Sequence, residues 1–421
     1  MNLIKTYWLF FGSLTVGLLI WVLAYMLLPL EAVQPIKTKT ILFIVSCYIA
    51  IIAGFVMFNF KTITNQRITY NNQKVVKLLL IIIVVSFALR WYDLFVNRNL
   101  SFANDLKFNR FLNDDNFKQN QVLLIVASVL KSLYFFPFVI CIRANLKRPK
   151  FYIIASYIVL FFPLLEAILK GTRKPFFEIF LIIVFTFIAY QKPKINFKRI
   201  SITVIAVVIL MSISMLILLK RENYSENFDD TFYKSLLESR YNEILKPTDA
   251  AINYFETTNH SQLTKLYVMS GLHTGQYITH GAFEFNHIID IDSLSIGYGM
   301  YNYSIIPKFF NKISLSSIPI ANLSPRKYVY LTQFGSYYID FRWFSLVLMF
   351  LFGVFQKYIY QKSFQSVIYS PILMYFLIIN VFLMILSYTR GAGIYVLFGF
   401  LFLLFLLKIF EKKLHEESIS S

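Results

Sequence analysis

Three arginines stand where a chain this apolar offers them little water. Arg173 lies in Lys170-Gly-Thr-Arg-Lys-Pro175 and Arg390 in Ser387-Tyr-Thr-Arg-Gly-Ala-Gly393, each just ahead of an apolar run, and Arg90 sits inside another run, three residues before Asp93. A helix start gathers free N–H groups and the positive end of the helix dipole. An arginine fork placed there makes a receptor for phosphate, which accepts two hydrogen bonds at once. Thr172 and Thr389 have the side chain to cap those N–H groups, Pro175 fits a first turn, and Gly171 and Gly391 allow a ligand close to the backbone. Lys174 adds charge to the first receptor. Two receptors imply two anionic ligands or two ends of one, so Arg173 and Arg390 are expected to converge on one outward cavity, with Arg90 contributing from below. The alternative is that Arg173 and Arg390 reach out to lipid headgroups as anchors. Arg90 and Asp93 can equally form a structural pair, because an ionisable group at that depth faces either a cavity or a partner. Glu166 and Glu178 can pair with Lys170, Arg173 or Lys174.

Other chemistry has weaker signals. His260, His273, His280 and His287 lack zinc-like spacing with cysteine, no His-Glu-x-x-His occurs, and no metal site is expected. His273, His280 and His287 recur every seventh residue, but Gly275 and Gly281 argue against one continuous helix there. A histidine can serve as a general base near neutral pH, or simply pack. Asp290-Ile-Asp292 matches the Asp-x-Asp with which many nucleotide-sugar enzymes hold a metal. It falls on the outward side, away from cytoplasmic nucleotide sugars, and reads as surface acids. Arg240, in Glu238-Ser-Arg-Tyr-Asn-Glu243, is either a ligand or a salt-bridged helix residue. There is no P-loop and no Gly-x-Ser-x-Gly elbow.

The elements that must position these residues are membrane helices. Hydrophobic residues make up 57% of the chain and charged ones 15%, far from a soluble globular average. Ten apolar stretches of spanning length follow one another: Trp8–Leu30, Thr40–Phe58, Val75–Phe95, Val122–Ile142, Phe151–Leu169, Phe176–Tyr190, Ile200–Leu219, Phe341–Tyr360, Val367–Leu386 and Gly391–Phe410. In lipid only internal hydrogen bonding satisfies the backbone, so each is expected to be a helix. The reading is an all-α polytopic membrane protein with a retained N-terminal anchor. Its parts are residues 1–219 with seven helices, a partly helical extracytoplasmic loop at 220–340, and residues 341–421 with three helices and a cytoplasmic tail.

Lysine and arginine clusters fall on alternate loops, at Lys61/Arg67/Lys74/Lys77, Arg143/Lys147/Arg148/Lys150, Lys192/Lys194/Lys198/Arg199, Lys357/Lys362 and Lys408/Lys412/Lys413. Basic loops stay cytoplasmic, which puts both termini inside and the long loop outside. The net charge of +19 then faces anionic headgroups and calls for no nucleic acid. Cys47 and Cys141 both lie in predicted spans and suggest no disulfide. Within the loop, Thr231–Leu245 has helical spacing, Pro247 can open a second helix through Asp249–Phe255, Leu263–Tyr277 is a third candidate, and Gly297-Tyr-Gly299, Pro307 and Pro325 read as turns.

The chain resembles the bacterial oligosaccharide repeat-unit polymerases, the Wzy-type O-antigen and capsular polysaccharide polymerases. The resemblance rests on the late outward loop, on Gly171-Thr-Arg173 opening a helix, on Arg240 early in the loop and on Thr332-Gln-Phe-Gly-Ser-Tyr-Tyr-Ile-Asp-Phe341 leading into a span; an Arg-x10-Gly spacing described for some members' outer loops occurs once, from Arg342 to Gly353. It implies glycosyl transfer at the outer face of the cytoplasmic membrane. A glycan on undecaprenyl diphosphate would pass to a hydroxyl of the next lipid-linked unit, releasing undecaprenyl diphosphate, with no metal and no cofactor. Arg173, Arg390 and Arg90 would stabilise the leaving diphosphate. Asp340 or His280 would take the hydroxyl proton, and Gly171, Thr172, Lys174, Arg240 and Thr389 would bind substrate. The implied partners are lipid-linked glycans and membrane lipids, with room for a chain-length regulator and a flippase. A lipid-linked oligosaccharide flippase or other transporter and an O-antigen-ligase-like transferase are the rival readings.

Overall fold

The computed structural model describes residues 3–60, 71–115, 122–146, 150–191, 196–221, 238–257, 260–291, 294–312, 326 and 329–409. In chain order the helices are α1 (Trp8–Leu27), α2 (Thr38–Met57), α3 (Asn72–Tyr92), α4 (Leu106–Asp115), α5 (Val122–Lys131), α6 (Phe136–Arg143), α7 (Lys150–Leu160), α8 (Phe162–Lys170), α9 (Lys174–Thr186), α10 (Phe197–Arg221), α11 (Asp249–Glu256), α12 (Gln262–Ile288), α13 (Ile305–Lys312), α14 (Gln333–Phe341), α15 (Ser345–Gln365), α16 (Ser370–Phe382) and α17 (Tyr395–Ile409). Two short strands, β1 (Leu30–Ala32) and β2 (Leu245–Pro247), pair antiparallel with Leu30 opposite Pro247. Among the described residues eight helical segments are long and apolar enough to cross a membrane. Shorter apolar helices occupy Ser201–Ile217 and Val367–Phe382. Each of the ten apolar stretches is therefore helical, and the chain is an all-α, multi-pass membrane protein.

Its contacts gather into two units. The first comprises Met1–Phe55, Phe197–Gly353 and Ile379–Gly391; the second comprises Val56–Asn196, Val354–Ile378 and Ala392–Ser421. The spine of the first is α12. Its Thr279 carbonyl accepts from Trp21 of α1, and its Asn286 ties down the chain ahead of α2 by accepting from the Lys37 N–H and Thr40 hydroxyl, both at 2.8 Å. The helix runs unbroken through Gly275 and Gly281, against the expectation of a break. A Cβ at Gly275 would lie 2.1 Å from a Leu28 methyl, and one at Gly281 would lie 2.8 Å from the Ile385 carbonyl oxygen. At Gly281 the neighbour is backbone that cannot yield, so close packing outweighs the roughly 1 kcal/mol that glycine costs inside a helix; at Gly275 the Leu28 methyl would have to move. The seven-residue spacing of His273, His280 and His287 thus does put them on one side of a helix.

Other expectations for the loop change too. The proposed helix at Thr231–Leu245 lies mostly outside the described residues, and its described end is a 3-10 turn at Arg240–Glu243 followed by β2. α11 begins after Pro247, with the Thr248 side chain as its cap. Pro307 falls in the first turn of α13 rather than in a turn between elements. Pro325 and Asp292 lie outside the described residues, and Asp290 is paired with Lys37 and Lys39 at 2.8 and 3.0 Å.

In the second unit, α3 packs on α5, α6 and α7, and α4 packs on α8. Leu94, Leu100 and Leu169 form a buried cluster with Trp91 and Leu112 against it. Asn109 of α4 donates to the Ser101 and Leu169 carbonyls at 2.8 and 3.0 Å. That bond clamps the segment after α3 onto the end of α8, the end from which Gly171, Thr172 and Arg173 emerge.

Candidate functional site

The second unit collects charge at this end. Asp93, fully buried, stands in a π turn that continues α3. One of its carboxylate oxygens accepts from Arg90 at 2.5 Å and from Arg98 at 2.9 Å. Lys131, the last residue of α5, grips both oxygens of Glu166 at 2.6 and 2.7 Å, and Lys170, a turn further along α8, reaches Glu166 at 3.2 Å. Arg90 lies within electrostatic reach of Glu166, Lys131 and Lys170, so the two sets act as one cluster. Among the described residues of the cluster four cations face two carboxylates, a formal excess of two positive charges in an apolar unit. Arg90 Nε is buried without a hydrogen-bond partner among the described residues. Such a cluster favours an anion, because a buried charge needs compensation.

Gly171 ends α8 with φ 62°, in the left-handed region that suits glycine, and the Thr172 N–H donates back to the Ala167 carbonyl. Gly171 is thus a C-cap. Arg173, half-buried, takes the N-cap position of α9 without a side-chain cap. Thr172 is exposed and caps nothing, contrary to expectation. Pro175 sits in the first turn of α9 as expected. Lys174 and Glu178 share one turn of α9, and Glu178 accepts from the Tyr134 hydroxyl at 3.0 Å.

Arg390, Thr389, Asp340, His280 and Arg240 belong to the first unit, whereas Arg90 and Arg173 belong to the second. Arg390 is exposed and wraps Tyr301. Its guanidinium carbon lies 3.9 Å from the ring centre, Nη1 donates to the Tyr301 hydroxyl at 2.9 Å, and Nε donates to its carbonyl at 3.2 Å. Tyr301 is held in turn by Asp340. The Asp340 carboxylate, fully buried, accepts from the Tyr301 N–H at 2.9 Å, the Asn302 N–H at 3.0 Å and the Asn302 side-chain amide at 2.8 Å. Asp340 is therefore the clamp of the turn that presents Tyr301 to Arg390. Thr389 is buried and accepts from Gln333 at 2.8 Å, so its hydroxyl serves α14 and not a helix start of its own.

His280 is also committed. Its Nδ1 contacts the Gln276 and Tyr277 carbonyls at 2.9 and 3.1 Å, and Nε2 accepts from the Tyr330 N–H at 3.2 Å. Burial, with Arg326 nearby, pushes it down to about 4, so the ring stays neutral with both nitrogens occupied. Its expected role as a base meets a ring with no lone pair left to offer.

Arg326 carries the feature of this unit that local sequence did not reveal. It bonds Glu284 at 2.5 Å, Glu243 at 3.0 Å and the Arg240 carbonyl at 2.5 Å. Glu284 is buried and its second oxygen has no hydrogen-bond partner among the described residues. Burial pushes this carboxyl up to about 7, with Glu243 adding to the rise and Arg326 opposing it. Arg326 and Glu243 also line a cavity of about 140 Å3, together with Gln34, Phe283 and His287. Arg240 contributes its backbone oxygen here. Among the described residues no group of three or more histidine, cysteine or acidic side chains is placed to hold a metal ion.

Comparison with protein-family models, curated proteins and solved structures finds no match to this chain.

Proposed function

We propose that the chain is a membrane glycosyltransferase that polymerises undecaprenyl-diphosphate-linked oligosaccharide repeat units at the outer face of the bacterial cytoplasmic membrane, with both termini inside the cell. The observation that carries this reading is the positive excess of the Arg90, Arg98, Lys131 and Lys170 cluster, which adjoins the Arg173 helix start. A fixed group of cations in a low-dielectric setting stabilises an anion as it develops, and a diphosphate leaving group at headgroup level is such an anion. In the transfer, the acceptor hydroxyl oxygen bonds to the anomeric carbon, the bond from that carbon to the diphosphate breaks with its electron pair, and the hydroxyl proton goes to a carboxylate.

The test is reconstitution. Proteoliposomes of the purified chain, supplied with undecaprenyl-diphosphate-linked repeat units, are expected to form a ladder of lipid-linked oligomers and to release undecaprenyl diphosphate. Folded protein that forms no oligomers, or that instead moves the intact lipid-linked unit across the bilayer, overturns the reading.

A further inference from the structure

The described lining of the cavity in the first unit has no positive excess like that of the cationic cluster, one carboxylate facing one guanidinium. Its one guanidinium, Arg326, is committed to two carboxylates, Glu243 and Glu284, so an anion entering the cavity meets no spare positive charge from it. A hydroxyl group meets a better environment. An ionised carboxylate accepts at about four positions, and the 68% exposed side chain of Glu243 has an ion pair with Arg326 on one oxygen. Gln34 and His287 line the same cavity and are exposed, and their side chains have no hydrogen-bond partner among the described residues. Phe283 adds an apolar wall. The volume, about 140 Å3, is roughly ten times what a single water needs, room for a sugar ring.

We propose that this cavity is a subsite for one uncharged, hydroxyl-rich sugar ring of the acceptor glycan, and that it discriminates against rings bearing a carboxylate. The proposal rests on the glycan-transfer reading and assigns it a substrate class. Glu243 and Gln34 take ring hydroxyls, His287 borders the opening, and Glu284 acts as a positioning residue that holds Arg326 against Glu243. The phosphates and the sugar are then recognised by separate chemistry, a cationic cluster for the one and a carboxylate-edged cavity for the other.

Saturation-transfer NMR on the full chain in nanodiscs tests this, with the methyl glycosides of glucose, galactose and N-acetylglucosamine as neutral probes and methyl glucuronide as the charged one. At least one neutral glycoside is expected to receive saturation at its ring protons, and the glucuronide at least fivefold less. Gln34→Ala, at an exposed position that bonds to nothing described, should lower the neutral signal at least threefold with no change in thermal midpoint. Glu243→Gln should bring the glucuronide to within twofold of the neutral ring. No neutral signal above empty nanodiscs, or signals indifferent to both substitutions, overturns the subsite. The same preparation separates the two ideas when given lipid-linked units: glycoside binding without oligomers removes the polymerase reading and keeps the subsite, whereas oligomers without glycoside binding do the reverse.

Discussion

Asp340→Asn separates a clamp from a base. Asparagine has nearly the same shape, but one carboxylate oxygen becomes an NH2 group that can only donate. If its remaining oxygen keeps the two bonds from Asn302, the Tyr301 N–H is left facing another donor, buried and unpaired, at a cost of about 1–3 kcal/mol. The two surviving bonds lose their charge assistance, roughly half their strength, or about 1 kcal/mol each. Relief from burying a charge offsets part of this, so the net loss should be about 3 kcal/mol. At about 2–4 °C per kcal/mol for a unit of this size, the thermal midpoint in detergent should fall by roughly 6–12 °C.

A base would behave differently. Loss of a proton acceptor removes turnover and leaves the fold intact, so Asp340→Asn would show a wild-type midpoint and no glycan chains. The clamp instead predicts that activity and midpoint fall together, and that Arg390 loses its hold on Tyr301, whose N–H the Asp340 carboxylate holds and whose hydroxyl Arg390 meets. Measuring midpoint and chain length on the same preparation decides. An unchanged midpoint with abolished turnover refutes the structural account and restores Asp340 as the proton acceptor.

Arg173→Lys keeps the charge but loses the planar fork that grips phosphate oxygens; cells should then carry single repeat units in place of long chains, and normal chains would make Arg173 a headgroup anchor. Glu284, raised to about 7, binds its proton more tightly folded than unfolded, so its contribution to stability is present below about 4.5 and is lost as pH rises through about 7, on the order of 3 kcal/mol in all. Glu284→Gln should flatten the dependence of thermal midpoint on pH between 5 and 8, and parallel curves for the two proteins would show that Glu284 is not titrating there. A single cysteine at Asn253 should react with an impermeant maleimide in intact cells, and one at Gln365 should not; the reverse pattern would invert the membrane orientation.

The helices were legible because the bilayer leaves the backbone no alternative: an apolar stretch of spanning length becomes a helix whatever its neighbours do. Outside the apolar stretches that compulsion lapses. The helix signal running up to Leu245 gave way at its described end to a strand, since Leu30–Ala32 offers a pairing partner more than two hundred residues away that no local pattern announces. Glycine misled in the other direction. Gly275 and Gly281 look like helix breakers along the chain, but in space one packs against the Leu28 side chain and the other meets the Ile385 backbone too closely for a Cβ.

The site was legible only as far as partners sat within a turn or two. Arg90 and Asp93 are three residues apart and pair as spacing suggests; Lys170 and Glu166 are four apart and do the same. Lys131 and Glu166 are separated by 35 residues and Arg326 and Glu284 by 42, and nothing in either neighbourhood names the other. The only available signals were an isolated lysine midway along one apolar run and an isolated glutamate in Gly281-Ala-Phe-Glu-Phe-Asn286. Thr172 and Thr389 show the same limit: local rules made both helix caps, while folding left one exposed and gave the other to Gln333. Along the chain, both clusters appear as basic residues near acids, and only their shared volumes distinguish them. Among the described residues one gathers four cations around two carboxylates, and the other holds a single guanidinium between two carboxylates.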